Sequence, residues 1–491
     1  MTLRLFNTLT QSVEDFSPLK ENKVTLYTCG PTVYDYPHVG NWAAYIYWDI
    51  LVRTLLANDY QVERVMNMTD VGHLTGENEG DANNGEDKLE KGARREGKTA
   101  WQIAEFYAED FVKGMEKLGL IPPEHIVKAT DFIDQQLELV SILKEKGYTY
   151  QTSDGIYYDT SKFSRYADFA HLDLAAQKAG ARVEANDEKR NPSDFALWKF
   201  SPIGEKRDME WETPHEFFDL PGDQVVMGFP GWHLECSAMA MSILGATIDI
   251  HTGGIDHIPV HHTNEIAQSE AASGEKFAKY WLHNNHLKIE GGKVSKSLGN
   301  GYTLQDLEKK GFSALDLRIF ILQGHFSNEG NFTFENLTAA KNRRLNWQAY
   351  AALQHQTHDR LDDDDKKNKS DAHVSLIAGE AALKEALSDN LNTPEAFRII
   401  DESFAKLDGI PLDHIHHRGL VSFIQAIDNF LGLQLSSSTP DIGDDAKRAL
   451  IAREQARKAQ DWETSDTLRD ELLNNGITIN DTPYGPVWSY K

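Results

Sequence analysis

Two cysteines occur in the 491 residues, Cys29 and Cys236, and they lie in different parts of the chain. Neither belongs to a compact C-x-x-C pair. His261 and Glu265, however, stand four positions apart, a spacing that puts both on one face of a helix. Two thiolates, an imidazole and a carboxylate make a tetrahedral zinc set, so Cys29, Cys236, His261 and Glu265 are candidate metal ligands. Two alternatives stand beside that reading. Buried cysteines commonly behave as small hydrophobes, and His262 competes with His261 for the imidazole position.

A second group of residues has the chemistry to handle phosphate. His38-Val39-Gly40-Asn41 falls between an expected strand and an expected helix. Helix N–H groups and the positive end of the helix dipole favour an anion there, and a histidine donor stabilises charge developing on a phosphate oxygen. A histidine before a helix also serves simply as a turn or cap residue. Further on, GGKVSKSLGN carries Lys293 and Lys296 on a loop opened by Gly291 and Gly292 and closed by Gly299 and Asn300. Two ammonium groups on such a lid would neutralise a departing pyrophosphate, which stabilises a transition state more than the bound triphosphate. The alternative is an ordinary exposed lysine loop. Neither G-x-x-x-x-G-K-[ST] nor G-x-G-x-x-G is present, so the common kinase and dehydrogenase readings lack their motifs.

These residues need elements to carry them. From Val24 the text reads as strand (VTLYTC), loop (GPTVYDYPHVGN), amphipathic helix over residues 42–58 and strand (QVERVMNM), which is one βαβ unit. A right-handed crossover gathers the loop, the helix N-terminus and the second strand's end at one crevice, where doubly wound sheets bind nucleotides. Residues 75–97 read as a polar solvated loop, and a helical stretch runs on to about Gly119. Residues 120–230 offer a strand and a helix, then irregular pieces (DGIYYDTSKF, EKRNPSDFALWKF, WETPHEFFDLPGDQ) that read as an insertion. The sheet resumes with PGWHLECSAMAMSILG, a loop and buried helix, and IDIHTGG, a strand ending in glycines. Beyond Gly299 the periodicity is helical throughout, with a flexible connection at 358–373 and a boundary at 436–445.

Length favours about three domains at roughly 150 residues each. Apolar residues are 40% and charged residues 26%, ordinary globular usage. Net charge is −26, from 50 basic against 76 acidic residues, which argues against wrapping nucleic acid with a uniformly basic surface. Any such partner is met by local clusters. One candidate is the helical segment bearing Lys447, Arg448, Arg453, Arg457 and Lys458, with Trp462, Tyr484 or Trp488 to stack on bases; a solvated amphipathic helix is its alternative. No apolar run approaches the roughly 20 residues that span a bilayer, so a cytoplasmic protein without a membrane partner is expected. No coiled-coil seam calls for a dimer, and a monomer is expected.

Taken together, the segments CGPTVYDYPHVGN, NMTDV, KRNPSDFALWK, PGWHLECSAM, DIHTGGIDHIPVHHTNEIAQS, KVSKSLGN, LNTPEAF and AREQARKAQDWETSDTLRDELLNNGI with DTPYGPVW resemble the cysteinyl-tRNA synthetases of class I over essentially the full length. The pattern of Cys, then GWHxEC, then HHxNE is more specific than either phosphate motif. The resemblance implies an α/β architecture: a Rossmann-type parallel-sheet catalytic domain with an inserted connective region, then an α-helical domain and a small anticodon-binding module. The expected divisions are 1–119, first half of the catalytic domain; 120–230, a strand region with the insertion; 231–315, the second half with the zinc ligands and lysine loop; 316–435, helical; and 436–491, the anticodon module.

The resemblance makes Cys29, Cys236, His261 and Glu265 the ligands of one Zn2+ that takes the substrate thiolate, rejecting serine. It places Cys29, Thr69, Trp232 and His251 at the amino acid, and His38, Gly40, Asn41, Asp256 and Lys296 at ATP, with His38, Asn41, Lys293 and Lys296 assisting the chemistry. Mg2+ would accompany ATP, and the partners would be L-cysteine and tRNA-Cys. Where the family has His-Ile-Gly-His this chain reads HVGN, so Asn41 offers an amide that donates a hydrogen bond but carries no charge. Val294 stands for the usual methionine, GGIDHIPV replaces GGGSD with its following Phe-Pro, and the run 205–228 is longer than the pattern. Two neighbouring readings are a ligase that transfers cysteine to an amino sugar, which typically lacks the anticodon module, and a non-catalytic tRNA-binding paralogue.

Overall fold

The alternating β-branched and aromatic text after Lys23 forms a strand, β1 (Lys23–Thr28), that pairs in parallel with β2 (Gln61–Met68) across the helix α1 (Val39–Ala57). This computed structural model describes every residue except 1, 73, 76–85, 173–187, 203, 205, 218–224, 293–298, 358–370 and 484. Three further parallel strands complete the sheet: β3 (His125–Lys128), β4 (Ile248–Gly254) and β5 (Ala278–Asn284). Their spatial order is β5-β4-β1-β2-β3. Strand order reverses between β1 and β4, and the crevice beyond their carboxyl ends is where such sheets take ligands. The expected βαβ unit is therefore present, with α1 starting three residues earlier than its periodicity indicated because His38 caps it.

Residues 120–230 are more regular than expected. After the helix Ile133–Glu145, strands Thr149–Thr152, Gly155–Tyr158, Phe195–Phe200, Trp211–Glu212 and Met227–Pro230 build a second, antiparallel five-stranded sheet. Its buried face, with Tyr158, Phe195 and Trp198, belongs to one core with Leu234, Ala238, Ala267 and Ala271. Those four lie on α2 (Trp232–Leu244) and α3 (Thr263–Ser273), so the inserted sheet backs the two helices that carry candidate ligands. Within the expected loop 75–97, Lys88–Glu96 is helical, capped by Asp87; residues 76–85 lie outside the described residues. Of the connection expected at 358–373, residues 371–373 begin the helix Asp371–Ser388, and 358–370 lie outside the described residues.

Helices Ala314–Leu322, Phe334–Ala351, Thr393–Ala405 and His417–Leu431 follow the sheet. Asp49 of α1 ties them to it. Its carboxylate accepts from Arg53 Nε at 2.7 Å, from Arg318 and from the Ile121 amide at 2.7 Å. Arg318 also donates to the carbonyls of Leu431 (2.7 Å) and Leu118 (3.0 Å), and Arg53 to those of Gly119, Asp428 and Asn429. Burial pushes the Asp49 carboxyl up, but the two guanidiniums overcome it and hold it below the usual carboxylate range.

The text beyond Gly299 is not helical throughout. A strand, Gly330–Phe332, pairs with Leu287–Ile289, and the chain ends in the hairpin Ile477–Thr482 with Gly485–Tyr490 after helices Asp444–Lys458 and Trp462–Asn474. Arg453, expected on a basic face for a phosphate backbone, is instead buried and donates both Nη atoms to Asp481, at 2.8 and 2.7 Å; Arg457 joins the same carboxylate at 2.6 Å. Trp488 is likewise buried in the small core of Ile442, Leu472, Ile477 and Ile479, whereas Trp462 is exposed. Tyr484 lies outside the described residues. Among the described residues, no helix is long and apolar enough to cross a membrane.

Candidate active site

Cys29 follows β1 directly, and its amide donates to the Thr252 carbonyl of β4 at 3.2 Å. Gly30 lets the chain turn there: a Cβ at that position would sit 1.7 Å from the Asn67 carbonyl oxygen. Cys236 is buried one turn into α2. His261 lies in a π-helical turn, Ile258–His262, that runs into α3, and Glu265 lies in the first turn of α3. Such turns recur at functional sites because they re-aim side chains. The structure thus brings Cys29, Cys236, His261 and Glu265 together, with their donor atoms all within 4.8 Å of one another. A second set, Cys29, His251, His262 and Glu265, meets the same limit.

The electrostatics suit a cation. The hydrogen bond from Cys29, with help from His261, outweighs burial and lowers the Cys236 thiol to about 6. The same bond, with burial, raises Cys29 well above an ordinary thiol. Burial disfavours the charged form of His261, but Glu265 and then Cys236 raise it to about 10. Burial also opposes the Glu265 charge, and His251 and His261 overcome it, leaving the carboxyl far below its usual range. Anionic donors have thus drawn a positive charge into a buried place, and a proton on His261 supplies it. A divalent metal supplies the same charge while using the His261 lone pair, so the donor set fits one. The buried Nδ1 atoms of His251 and His257 have no hydrogen-bond partner among the described residues, which marks the surroundings as built for a ligand.

Three further histidines support the donors: His251 and His262, already candidates from the sequence, and His233, which was not. His233 Nδ1 meets His261 Nδ1 at 2.9 Å, His251 Nε2 meets Glu265 Oε2 at 2.9 Å, and His262 Nε2 lies 3.4 Å from Cys29 Sγ. The signal available was density: His251, His257, His261 and His262 fall within twelve positions. His251, expected at the amino acid, is fully buried and stacked on Trp281, with centroids 4.4 Å apart. Trp232 is half-buried, its ring 4.4 Å from that of His261. Thr69 is buried at the end of β2, and its hydroxyl donates to Glu235 at 3.0 Å.

At the head of α1, His38 Nδ1 accepts from the Gly40 and Asn41 amides at 3.1 and 3.2 Å, and Asn41 Oδ1 accepts from the His38 amide at 3.0 Å. The Val39 amide donates to the Tyr302 carbonyl at 2.8 Å. The first helical amides, expected to face an anion, therefore have partners already, and His38 is the cap. What remains for a phosphate is side-chain chemistry from His38 and Asn41. Asp256 is exposed in the turn after β4. Lys293 and Lys296 lie outside the described residues, but the chain just beyond them is anchored here, with Thr303 bridged to His38.

The fold has solved counterparts. The crystal structure of Mycobacterium tuberculosis methionyl-tRNA synthetase bound by methionyl-adenylate superposes with a TM-score of 0.57 at 14% identity, over 84% of this chain and 93% of that one. Residues 15–342 match the family described as tRNA synthetases class I (C) catalytic domain. The sheet, the crevice and that match define a class I aminoacyl-tRNA synthetase. Residues 439–488 match the cysteinyl-tRNA ligase anticodon binding domain. Cysteine–tRNA ligase of Treponema denticola is 39% identical, with 99% of each chain covered, and that of Chlorobaculum tepidum is 37% identical over 100% of this chain and 99% of its own. Cysteine–tRNA ligase 1 of Burkholderia lata is 39% identical over 99% and 96%. The chain belongs to the cysteine–tRNA ligase family.

Proposed function

We propose that this chain activates L-cysteine with ATP and transfers it to tRNA-Cys. The observation that carries the proposal is the convergence of Cys29, Cys236, His261 and Glu265 from both halves of the sheet at its crevice. Those four would hold one Zn2+, which supplies a soft Lewis-acid partner for the substrate's sulfur and so discriminates it from a serine hydroxyl. Trp232, packed on His261, and Cys29 line the approach to the amino acid; Thr69 and His251 act from behind by holding Glu235 and Glu265. His38 and Asn41 donate to ATP phosphates, with Gly40 between them keeping that approach clear of a side chain, Asp256 accepts from a ribose hydroxyl, and Lys293 and Lys296 neutralise the departing charge, with Mg2+ bound to ATP.

The cysteine carboxylate attacks the α-phosphorus, and the bond to pyrophosphate breaks. The terminal ribose hydroxyl of tRNA then attacks the carbonyl carbon and AMP leaves. Positioning and charge stabilisation suffice, so no protein nucleophile is assigned. The divisions at 119, 230, 315 and 435, a cytoplasmic location and a monomeric state belong to the same proposal. The anticodon-module match favours tRNA over an amino-sugar acceptor.

The test is cysteine-dependent ATP/pyrophosphate exchange on protein of measured zinc content, beside serine and beside Cys236→Ala, followed by tRNA charging. Exchange with cysteine alone, lost together with zinc in the variant, is expected. A folded, zinc-loaded protein that exchanges with neither amino acid sinks the proposal and leaves a tRNA-binding protein.

A further inference from the structure

We propose that Thr8, His283 and His262 form a directed hydrogen-bond chain that ends on the Cys29 sulfur and orients it toward the cluster, making the first hairpin of the molecule a positioning element of the active site. The inference rests on the zinc reading above and extends it to residues far from the ligands in sequence.

The chain of contacts is continuous. Thr8 Oγ1 lies 2.8 Å from His283 Nδ1, His283 Nε2 lies 2.7 Å from His262 Nδ1, and His262 Nε2 lies 3.4 Å from Cys29 Sγ. Thr8, His283 and His262 are all buried. A neutral imidazole has one N–H and one lone pair, so two rings joined in this way must point their protons in the same direction. In one direction the Thr8 hydroxyl donates to His283, His283 donates to His262, and His262 Nε2–H donates to sulfur. In the other, His262 turns its lone pair toward Cys29, and only a thiol can answer it. A metal-bound cysteine is a thiolate, so the first direction is the one compatible with the cluster. A hydroxyl is the right terminus because it has the proton to start the series.

The rest of the structure keeps the series in place. The hairpin Arg4–Asn7 with Ser12–Asp15 is sewn to β5 on either side of the contact: the Thr8 amide donates to the Trp281 carbonyl at 2.8 Å, the Trp281 amide donates to Asn7 Oδ1 at 3.0 Å, and Asn7 Nδ2 donates to the Lys279 carbonyl at 3.1 Å. Among the described residues the Thr8 hydroxyl has no other side-chain partner. On the far side, Gly253 leaves room for the His262 ring, since a Cβ there would come within 2.5 Å of His262 Cε1. The direction also separates the two possible donor sets. With its Nε2 proton given to sulfur and its Nδ1 lone pair taken by His283, His262 has nothing left for a metal, whereas His261 directs Nδ1 to His233 and Nε2 into the cluster. His261 is the ligand, and His262 positions Cys29. Partners of this kind are worth about 10- to 100-fold in metal affinity.

The test uses the full-length protein and Zn2+ itself. Zinc affinity by chelator competition, and the sulfur-to-metal absorption band of the Co2+-substituted protein, are compared for wild type, Thr8→Val and Thr8→Ser, with thermal unfolding as the control for folding. Thr8→Val is expected to lose about 10-fold or more in affinity and to shift the band, while Thr8→Ser keeps both. Histidine-selective 15N NMR of the zinc-loaded wild type, which needs no variant, is expected to show the His262 proton on Nε2 and none on Nδ1. A folded Thr8→Val protein with wild-type affinity and band, or a proton on His262 Nδ1, overturns the inference and leaves the zinc reading standing. A wild type that takes up neither metal overturns both.

Discussion

Two buried polar clusters in this molecule are finished in different ways. Around Asp49, the carboxylate and both guanidiniums find partners within the protein, five backbone carbonyls and one amide among them. Around Cys29 and Glu265, the Nδ1 atoms of His251 and His257 have no partner among the described residues, and the thiol, imidazole and carboxylate donors lie within 4.8 Å of one another. A closed network fixes one arrangement of the sheet on the helices that follow it. An open one carries a cost that only a ligand removes, as expected of a site and not of a fastening.

The strongest way to break the contrast is Cys236→Ala, expected to lower cysteine-dependent exchange and zinc retention together by about 100-fold or more while the unmetallated fold persists. Next is Asp49→Ala, which strands Arg318 in the interior. It should cost about 3–5 kcal/mol in urea unfolding with no loss of bound zinc, whereas Asp49→Leu with Arg318→Met should recover only part of that cost, since Arg53 and the Ile121 amide still lose their acceptor. Chelation is smaller: at free zinc near 100 times its Kd the metal contributes about 2.7 kcal/mol, so its removal should lower the melting temperature of wild type and of the Asp49 variants alike, but not of Cys236→Ala. The mildest test is acid. The Asp49 carboxyl is held below its unfolded value of about 3.9, so its contribution is complete above that pH and disappears as the pH falls through the depressed folded-state value. The stability of the double variant should lack that component below about pH 4.

The primary structure disclosed the sheet and the ligands unequally. The unit from β1 to β2 was legible because its strands and helix have distinct periods, and the ligand candidates because rare residue types stood at helical spacing. The inserted sheet was not. Its strands are two to six residues long, flanked by Gly, Asp and Pro, and paired across gaps such as that between Gly155–Tyr158 and Phe195–Phe200. His38 read equally as phosphate donor and as cap, and the structure shows its Nδ1 capping. Arg453 looked like a nucleic-acid contact because sequence shows charge but not the Asp481 that neutralises it from 28 positions away. The Thr8 contact with His283 spans 275 positions, and no local pattern announces it.

The place of the inserted sheet between β3 and β4 also sets a clock for synthesis. One edge of β1 is covered early by β2, but the other pairs with β4, where His251 stands opposite Tyr27 and the Thr252 hydroxyl donates to the Tyr27 carbonyl across 225 positions. At about 5–20 residues per second, the emerging chain holds that apolar edge unpaired for about 10 to 45 s, with Cys29 at its tip. A strand rich in Val, Leu and Tyr with one open side is a template for the wrong partner. The central strand of the catalytic sheet thus waits longest for its second neighbour, and newly made chains are most exposed to misassembly during that interval.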